Sequence, residues 1–183
     1  MAAPSPSDPQ EQSVATARCQ QEDEVRHGIE LLYFGYTRLT KSIDDMLASE
    51  GLGRAHHRAL YFIARQPGLT ISDLLRLLAV TKQSLGRVLN DLSRRGLIAA
   101  KQGEKDKRHK LLWLTDQGAV LEDELFAALR SRVAAAYKSA GPQSVAGFWR
   151  VLEGLVPAED RPMISALRDI KGGVRNERHC APD

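Results

Sequence analysis

The segment 81–114 constrains this chain more than any other, because a two-faced helix is followed at once by a charged hairpin. At about 100° per residue, Leu85, Val88, Leu89 and Leu92 fall on one stripe of a helix over 81–95. Gln83, Arg87, Asn90 and Arg94 cluster almost diametrically opposite. Thr81 suits the N-cap and Gly96 the C-terminal stop. Residues 97–100 then read as a strand and 111–114 as its return, joined by the charged tip 103–110. Two short strands with a basic tip form a wing.

Charge is distributed to match. Between Thr81 and Lys110 there are nine basic residues against Asp91, Glu104 and Asp106, a local charge of +6 in a chain whose net charge is +3. The remainder therefore carries −3. A basic region on a mildly acidic body is the footprint of contact with a polyanion. Alone, such a stretch also reads as an ordinary solvated surface.

The flanking segments read as helices. Val25, Ile29, Leu32, Tyr36, Leu39, Ile43 and Met46 repeat at alternating four and three, predicting one amphipathic helix over 22–48. So regular a stripe near a chain end suits packing on a second subunit, with an intrachain core as the alternative. A helix over 54–65 ends at the turn signal Gln66-Pro67-Gly68, and Thr70 caps a short helix with Ile71, Leu74, Leu75 and Leu78 inward. Thr115 and Asp116 open a long helix to about 139, in which Leu125 is one of the apolar positions. Gly141-Pro142 separates it from another helix with Val145, Phe148, Leu152 and Leu155 inside. Pro157 and Pro162 interrupt the pattern before a short helix over 163–170 and a polar tail.

These readings predict a mainly α fold with a small antiparallel β wing, a winged helix-turn-helix flanked by N- and C-terminal dimerisation helices. In 183 residues, 43% of them hydrophobic, they fit one domain with tails. Residues 1–21 are expected to form a disordered arm, with no apolar core of a secretory signal. The winged helix should span about 54–115, between dimerisation helices at about 22–48 and 116–156, with 157–183 as an extension. No run of about 18 apolar residues predicts a membrane span. The cytoplasm is the expected compartment.

The segments Ser72-Asp73-Leu74-Leu75, Thr81-Lys82-Gln83-Ser84 and Arg94-Arg95-Gly96-Leu97-Ile98 resemble the reading unit of the MarR family of bacterial transcriptional regulators. Asp106-Lys107-Arg108, followed by Leu114-Thr115, matches the D-x-R…L-T pattern of that family's wing in residue type and spacing. The resemblance covers roughly 25–156; the C-terminal extension has no counterpart in it. It implies a homodimer on double-stranded DNA, with the helix over 81–95 in the major groove of a pseudo-palindromic operator. Arg108 would then reach the adjacent minor groove, with Asp106 orienting it. Lys82, Gln83, Ser84, Arg87, Asn90, Arg94, Lys105, Lys107, Arg108, His109 and Lys110 are the candidate DNA contacts. Val25, Ile29, Leu32, Tyr36, Leu125, Phe148 and Leu152 are the candidate dimer contacts.

The resemblance also implies a small aromatic or anionic effector, for which Tyr33, Tyr36, His57 and Arg58 are candidates; such side chains also serve as plain core. Cys19 and Cys180 have no metal or redox spacing, but both termini belong to the expected dimer region, so a cysteine switch is a further reading. His56 and His57 point about 100° apart on a helix and suit packing better than a shared metal. No metal or cofactor is expected. No P-loop, nucleophile elbow, H-E-x-x-H or dinucleotide fingerprint occurs, so no enzyme is expected. The competing class is a winged-helix docking module that binds protein without reading DNA.

Overall fold

The computed structural model describes the backbone of residues 9–103 and 110–169, and the side chains of 21–103 and 110–167. The chain divides into two compact units, Met1–Lys41 and Ser42–Asp183. The first contains helix α1, Pro9–Lys41, which begins well before the expected 22 and so takes in part of the segment expected to be disordered. Near its end the Thr40 hydroxyl donates back to the Tyr36 and Thr37 carbonyls at 3.0 and 3.2 Å. The single helix expected over 22–48 is thus two, since Ser42 and Ile43 form a turn before helix α2, Asp44–Ser49.

The physical reason for that break is burial. Ile43 and Leu47 are 0% and 1% exposed and belong to the core of the second unit. Two acidic residues, Asp44 and Asp45, open the new helix where its dipole favours them. The heptad pattern ran through the turn because Ile43 is apolar for a different partner.

The second unit continues with α3 (Arg54–Arg65), β1 (Leu69–Thr70), α4 (Ile71–Leu78) and α5 (Lys82–Arg94). Strands β2 (Ile98–Gln102) and β3 (Lys110–Leu114) follow, then α6 (Asp116–Ala140), α7 (Pro142–Leu155) and α8 (Arg161–Asp169). The three strands form an antiparallel sheet in the order β1-β3-β2. Ile98 pairs with Leu114, Ala100 and Leu69 both flank Leu112, and Gln102 pairs with Lys110. The two-residue β1, too short for a period-2 pattern, is the strand that sequence did not predict. Leu69, Ile98 and Leu112 turn one sheet face into a core that also holds Leu60, Ile63, Leu74, Leu85 and Leu92.

Threonine caps set the helix starts. Thr70, Thr81 and Thr115 accept hydrogen bonds from the backbone N–H groups of Asp73, Ser84 and Gly118, each three residues on. Between α4 and α5, Ala79 adopts the left-handed conformation at φ 49°, which turns the chain sharply into the second helix. After α5, Gly96 at φ 70° lets the Leu97 N–H reach back to the Leu92 carbonyl at 3.0 Å.

Leu125, predicted as a dimer contact, is 0% exposed within its own chain and packs in this core. It therefore has no surface left for a second subunit. The other six lie on α1 and α7 with accessible side chains, from half-buried Leu152 to Ile29 at 62%.

Gly118 makes the tightest backbone approach. A Cβ there would lie 1.9 Å from the Leu97 carbonyl oxygen, against which neither backbone can easily yield. Gly118→Ala should cost about 3 kcal/mol, at the upper end of overpacking penalties. Gly86, mid-α5, has nothing within 4 Å of its Cβ position, so Gly86→Ala should gain about 0.5–1 kcal/mol. Urea unfolding of both variants checks the pair; equal effects would refute the assigned close approach.

Candidate nucleic-acid interface

Helix α5 carries the candidate site because its two faces meet different environments. Leu85, Leu89 and Leu92 are 2%, 8% and 0% exposed, anchoring one side against the core. Lys82, Gln83, Ser84, Arg87, Asn90 and Arg94 are all exposed. At 3.6 residues per turn, Gln83, Arg87, Asn90 and Arg94 form a single ridge over three turns. Among the described residues, nothing hydrogen-bonds to the side chains of Gln83, Arg87 or Asn90. Ser84 is engaged by the N-cap, where the Thr81 hydroxyl donates to its Oγ at 3.0 Å.

The strand pairing of the wing runs out to Gln102 and Lys110, and Lys110 is exposed. Lys105, Asp106, Lys107, Arg108 and His109 lie outside the described residues. Lys101, not singled out beforehand, holds its Nζ 5.8 Å from the centre of the Trp113 ring, a cation held over an aromatic face. Its signal was its basic character at a strand position that pairs with β3.

The end of α5 holds a polar cluster that sequence reasoning did not assemble. Asp91 accepts from Arg94 Nη2 at 2.5 Å and from Arg95 Nε at 3.0 Å, and His56 Nε2 lies 3.2 Å away. Hydrogen bonding by Arg94 above all, then Arg95, holds the Asp91 carboxyl below its ordinary range despite some desolvation. Arg95, counted among the basic residues, also donates to the Glu50 and Gly51 carbonyls at 2.7 and 3.2 Å. It faces the protein's own backbone.

The candidate effector residues divide between elements. Tyr33 and Tyr36 are exposed on α1, at 65% and 58%. On α3, His57 is buried and its Nε2 has no hydrogen-bond partner among the described residues, whereas neighbouring Arg58 is exposed. Burial first, then the charge of Arg58, lowers the His57 pKa. Tyr61, one turn further along, sits 6.3 Å from both His57 and the Phe126 ring of α6. Cys19 falls within α1 and Cys180 outside the described residues. No helix among the described residues is long and apolar enough to cross a membrane.

A helix-turn-helix, a hairpin wing and an outward ridge of amides and guanidinium groups define the class: a winged-helix DNA-binding regulator. The model of the MarR family matches residues 50–109. The HTH-type transcriptional regulator PetP of Rhodobacter capsulatus is 48% identical over 148 residues, 81% of this chain and 89% of that protein. Two solved structures share the fold. A mutant MarR from E. coli complexed with operator DNA has a TM-score of 0.59 at 20% identity, over 74% of this chain and 97% of that one. NadR in complex with 4-hydroxyphenylacetate also gives 0.59, at 19% identity, over 85% and 97%. The chain belongs to the MarR family of transcriptional regulators.

One titration in this unit is measurable. Glu122 is buried on α6, and desolvation raises its pKa to about 7, reinforced by Asp123 and opposed by Arg65. Between its ordinary value and about 7 the unfolded chain ionises while the folded one stays protonated, so stability falls as pH rises. Glu122→Gln should therefore raise the Tm above that of wild type at pH 8 and leave it nearly unchanged near pH 4.5. His57, with its pKa lowered, acts oppositely, its contribution being lost as pH falls below the ordinary histidine value. Thermal unfolding of both proteins across this range checks the assignment; a Tm difference that does not vary with pH would refute it.

Proposed function

We propose that this regulator acts as a homodimer that lays α5 of each subunit in the major groove of successive operator half-sites. The observation that carries this reading is the exposed ridge of Gln83, Arg87 and Asn90, without hydrogen-bond partners among the described residues and held outward by the buried leucines behind it. Amide and guanidinium groups there can make paired hydrogen bonds to base edges, each worth about 1–3 kcal/mol of discrimination. Lys82, Arg94, Lys101 and Lys110 would meet phosphates, where counterion release makes binding salt-dependent. Lys105, Lys107, Arg108 and His109, which follow β2 in the sequence, are the further proposed DNA contacts, with Arg108 assigned to the minor groove and Asp106 assigned to orient it.

A two-fold dimer is supported by the exposed apolar side chains of both flanks. On α1, Val25, Ile29, Leu32 and Tyr36 are 57%, 62%, 38% and 58% exposed. On α7, Phe148, Trp149 and Leu155 are 44%, 44% and 64% exposed, and Leu152 lies on the same helix. Apolar groups in such numbers mark an association surface. A small aromatic or anionic effector, as in the 4-hydroxyphenylacetate complex of NadR, would meet a cation at exposed Arg58, with buried His57 beside it in the helix. The protein regulates in the cytoplasm, without catalytic chemistry of its own.

Selection of genomic fragments by the purified protein, repeated at two salt concentrations, tests the reading. An inverted repeat with half-site centres about one helical turn apart is the expected result. Asn90→Ala should weaken operator binding by about 1–3 kcal/mol and relax preference at one base position. Lys82→Ala should weaken all sequences alike and reduce the salt slope by about 1. Uniform recovery of fragments would refute sequence reading. In sedimentation, Phe148→Asp should shift a dimer toward monomer, and an unchanged mass would exclude α7 from the interface.

A further inference from the structure

We infer that Asp91 is a positioning residue for DNA recognition, aiming Arg94 through one carboxylate oxygen and anchoring the end of α5 through the other. The inference rests on the reading of α5 as the DNA-facing helix and names the device that sets the aim of its last basic side chain.

The division of labour between the two oxygens is explicit. Oδ1 accepts from Arg94 Nη2 at 2.5 Å, and the Arg94 side chain is 79% exposed. A guanidinium has five N–H donors, so one bond to Asp91 fixes its direction and leaves donors for a phosphate that only the base-read register of the operator brings opposite it. Oδ2 accepts from Arg95 Nε at 3.0 Å and lies 3.2 Å from His56 Nε2. Arg95 spends its remaining nitrogens on the Glu50 and Gly51 carbonyls. His56 Nδ1 accepts from the Gly53 N–H at 3.1 Å, which leaves Nε2 as the side of the ring that donates to Asp91. The carboxylate thus joins the exposed ridge of α5 to the turn between α2 and α3 and to the start of α3.

Two consequences follow for binding. Arg94 meets DNA already oriented, so less rotamer freedom is lost on contact. Arg95 is withheld from DNA, so the basic end of α5 offers one aimed cation where sequence counts two. Without Asp91, Arg94 swings freely and Arg95 loses a charged anchor. Non-specific attraction then rises while directed contact falls.

The quantity that reads this is the ratio of operator affinity to random-DNA affinity, measured with the full-length protein on a selected operator and a scrambled duplex. Asp91→Asn should lower that ratio about tenfold, the size expected when one charge-assisted hydrogen bond no longer directs a contact. It should also steepen the salt dependence on scrambled DNA by about one phosphate equivalent. In an Arg94→Ala background the same substitution should change the ratio little, because its path to DNA is gone. A merely structural role for Asp91 would lower the Tm and weaken both duplexes in proportion, leaving the ratio fixed, and that result overturns the inference. So does an equal fall in the ratio with and without Arg94. Should Asp91→Asn not fold, Arg94→Gln in the same two assays replaces it: greater loss on the operator supports the inference, and equal losses overturn it. A wild-type protein with no preference between the duplexes would instead sink the DNA reading itself.

Discussion

The Leu97 carbonyl ties together the parts of this fold that must keep a fixed relation. It accepts from the Thr115 N–H at 3.1 Å, while the Thr115 hydroxyl donates to the Gly96 carbonyl at 2.6 Å. That hydroxyl also accepts from the Gly118 N–H, capping α6, and Gly118 is bare where it abuts Leu97. Residues 96–98 end α5 and open β2, and 114–116 end β3 and open α6. The wing is therefore closed at its base by the same contacts that launch the long helix. Backbone meets backbone where Gly118 abuts Leu97, so little slack separates the start of α6 from the segment that joins α5 to the wing.

Around that junction, apolar packing and polar bonding have different tasks, and their magnitudes say which is which. Each buried leucine of α5 contributes roughly 1.5–3 kcal/mol by leaving water, whereas a hydrogen bond nets about 0.5–1.5. Leu85, Leu89 and Leu92 hold the helix on the body, packed beside Leu60 and Ile63 of α3 in one core. Asp91, Arg95 and His56 add little to that total, being partly exposed, but they are directional. Leucines permit a helix to slide or roll by a few degrees; a carboxylate shared by three partners on two helices does not. Stability comes from the stripe, and aim from the cluster.

Sequence revealed what depends on local rules. Thr70 and Thr81 were legible as caps, and Thr115 as the opening of α6, because the bond each makes spans only three residues. The two faces of α5 were legible because a 3.6-residue period needs no knowledge of the partner. What sequence missed depends on contacts far apart in the chain. Ile43 completes a heptad, so nothing local said that it leaves α1 for another core. Leu125 looked like an interface residue because burial against one's own α3 and against a second copy demand the same side chain. Arg95 counted only toward the local basic charge, because the carbonyls it serves, at Glu50 and Gly51, lie more than forty residues away. The bases under Gln83 and Asn90 were not legible either, since a side-chain amide can pair with several edges.

Two backbone choices in the helix-turn-helix run against stability and point to what α5 faces. Ala79 holds a left-handed conformation that glycine would adopt without penalty, at a cost of about 1 kcal/mol. Gly86 sits mid-helix with open space at its Cβ position, where alanine would be favoured by nearly as much. A chain shaped for rigidity alone would place these residues the other way round. Gly86 lies one turn before Asn90, on the flank of the exposed ridge. A missing side chain there would let the α5 backbone come closer to any surface that the ridge contacts, which a short amide such as Asn90 needs in order to reach a base edge. The left-handed turn at Ala79 makes the opposite contribution: it fixes the angle at which α5 leaves α4, with less freedom in the unfolded chain than glycine would bring. Proximity at one position and a set angle at the other serve the same ridge.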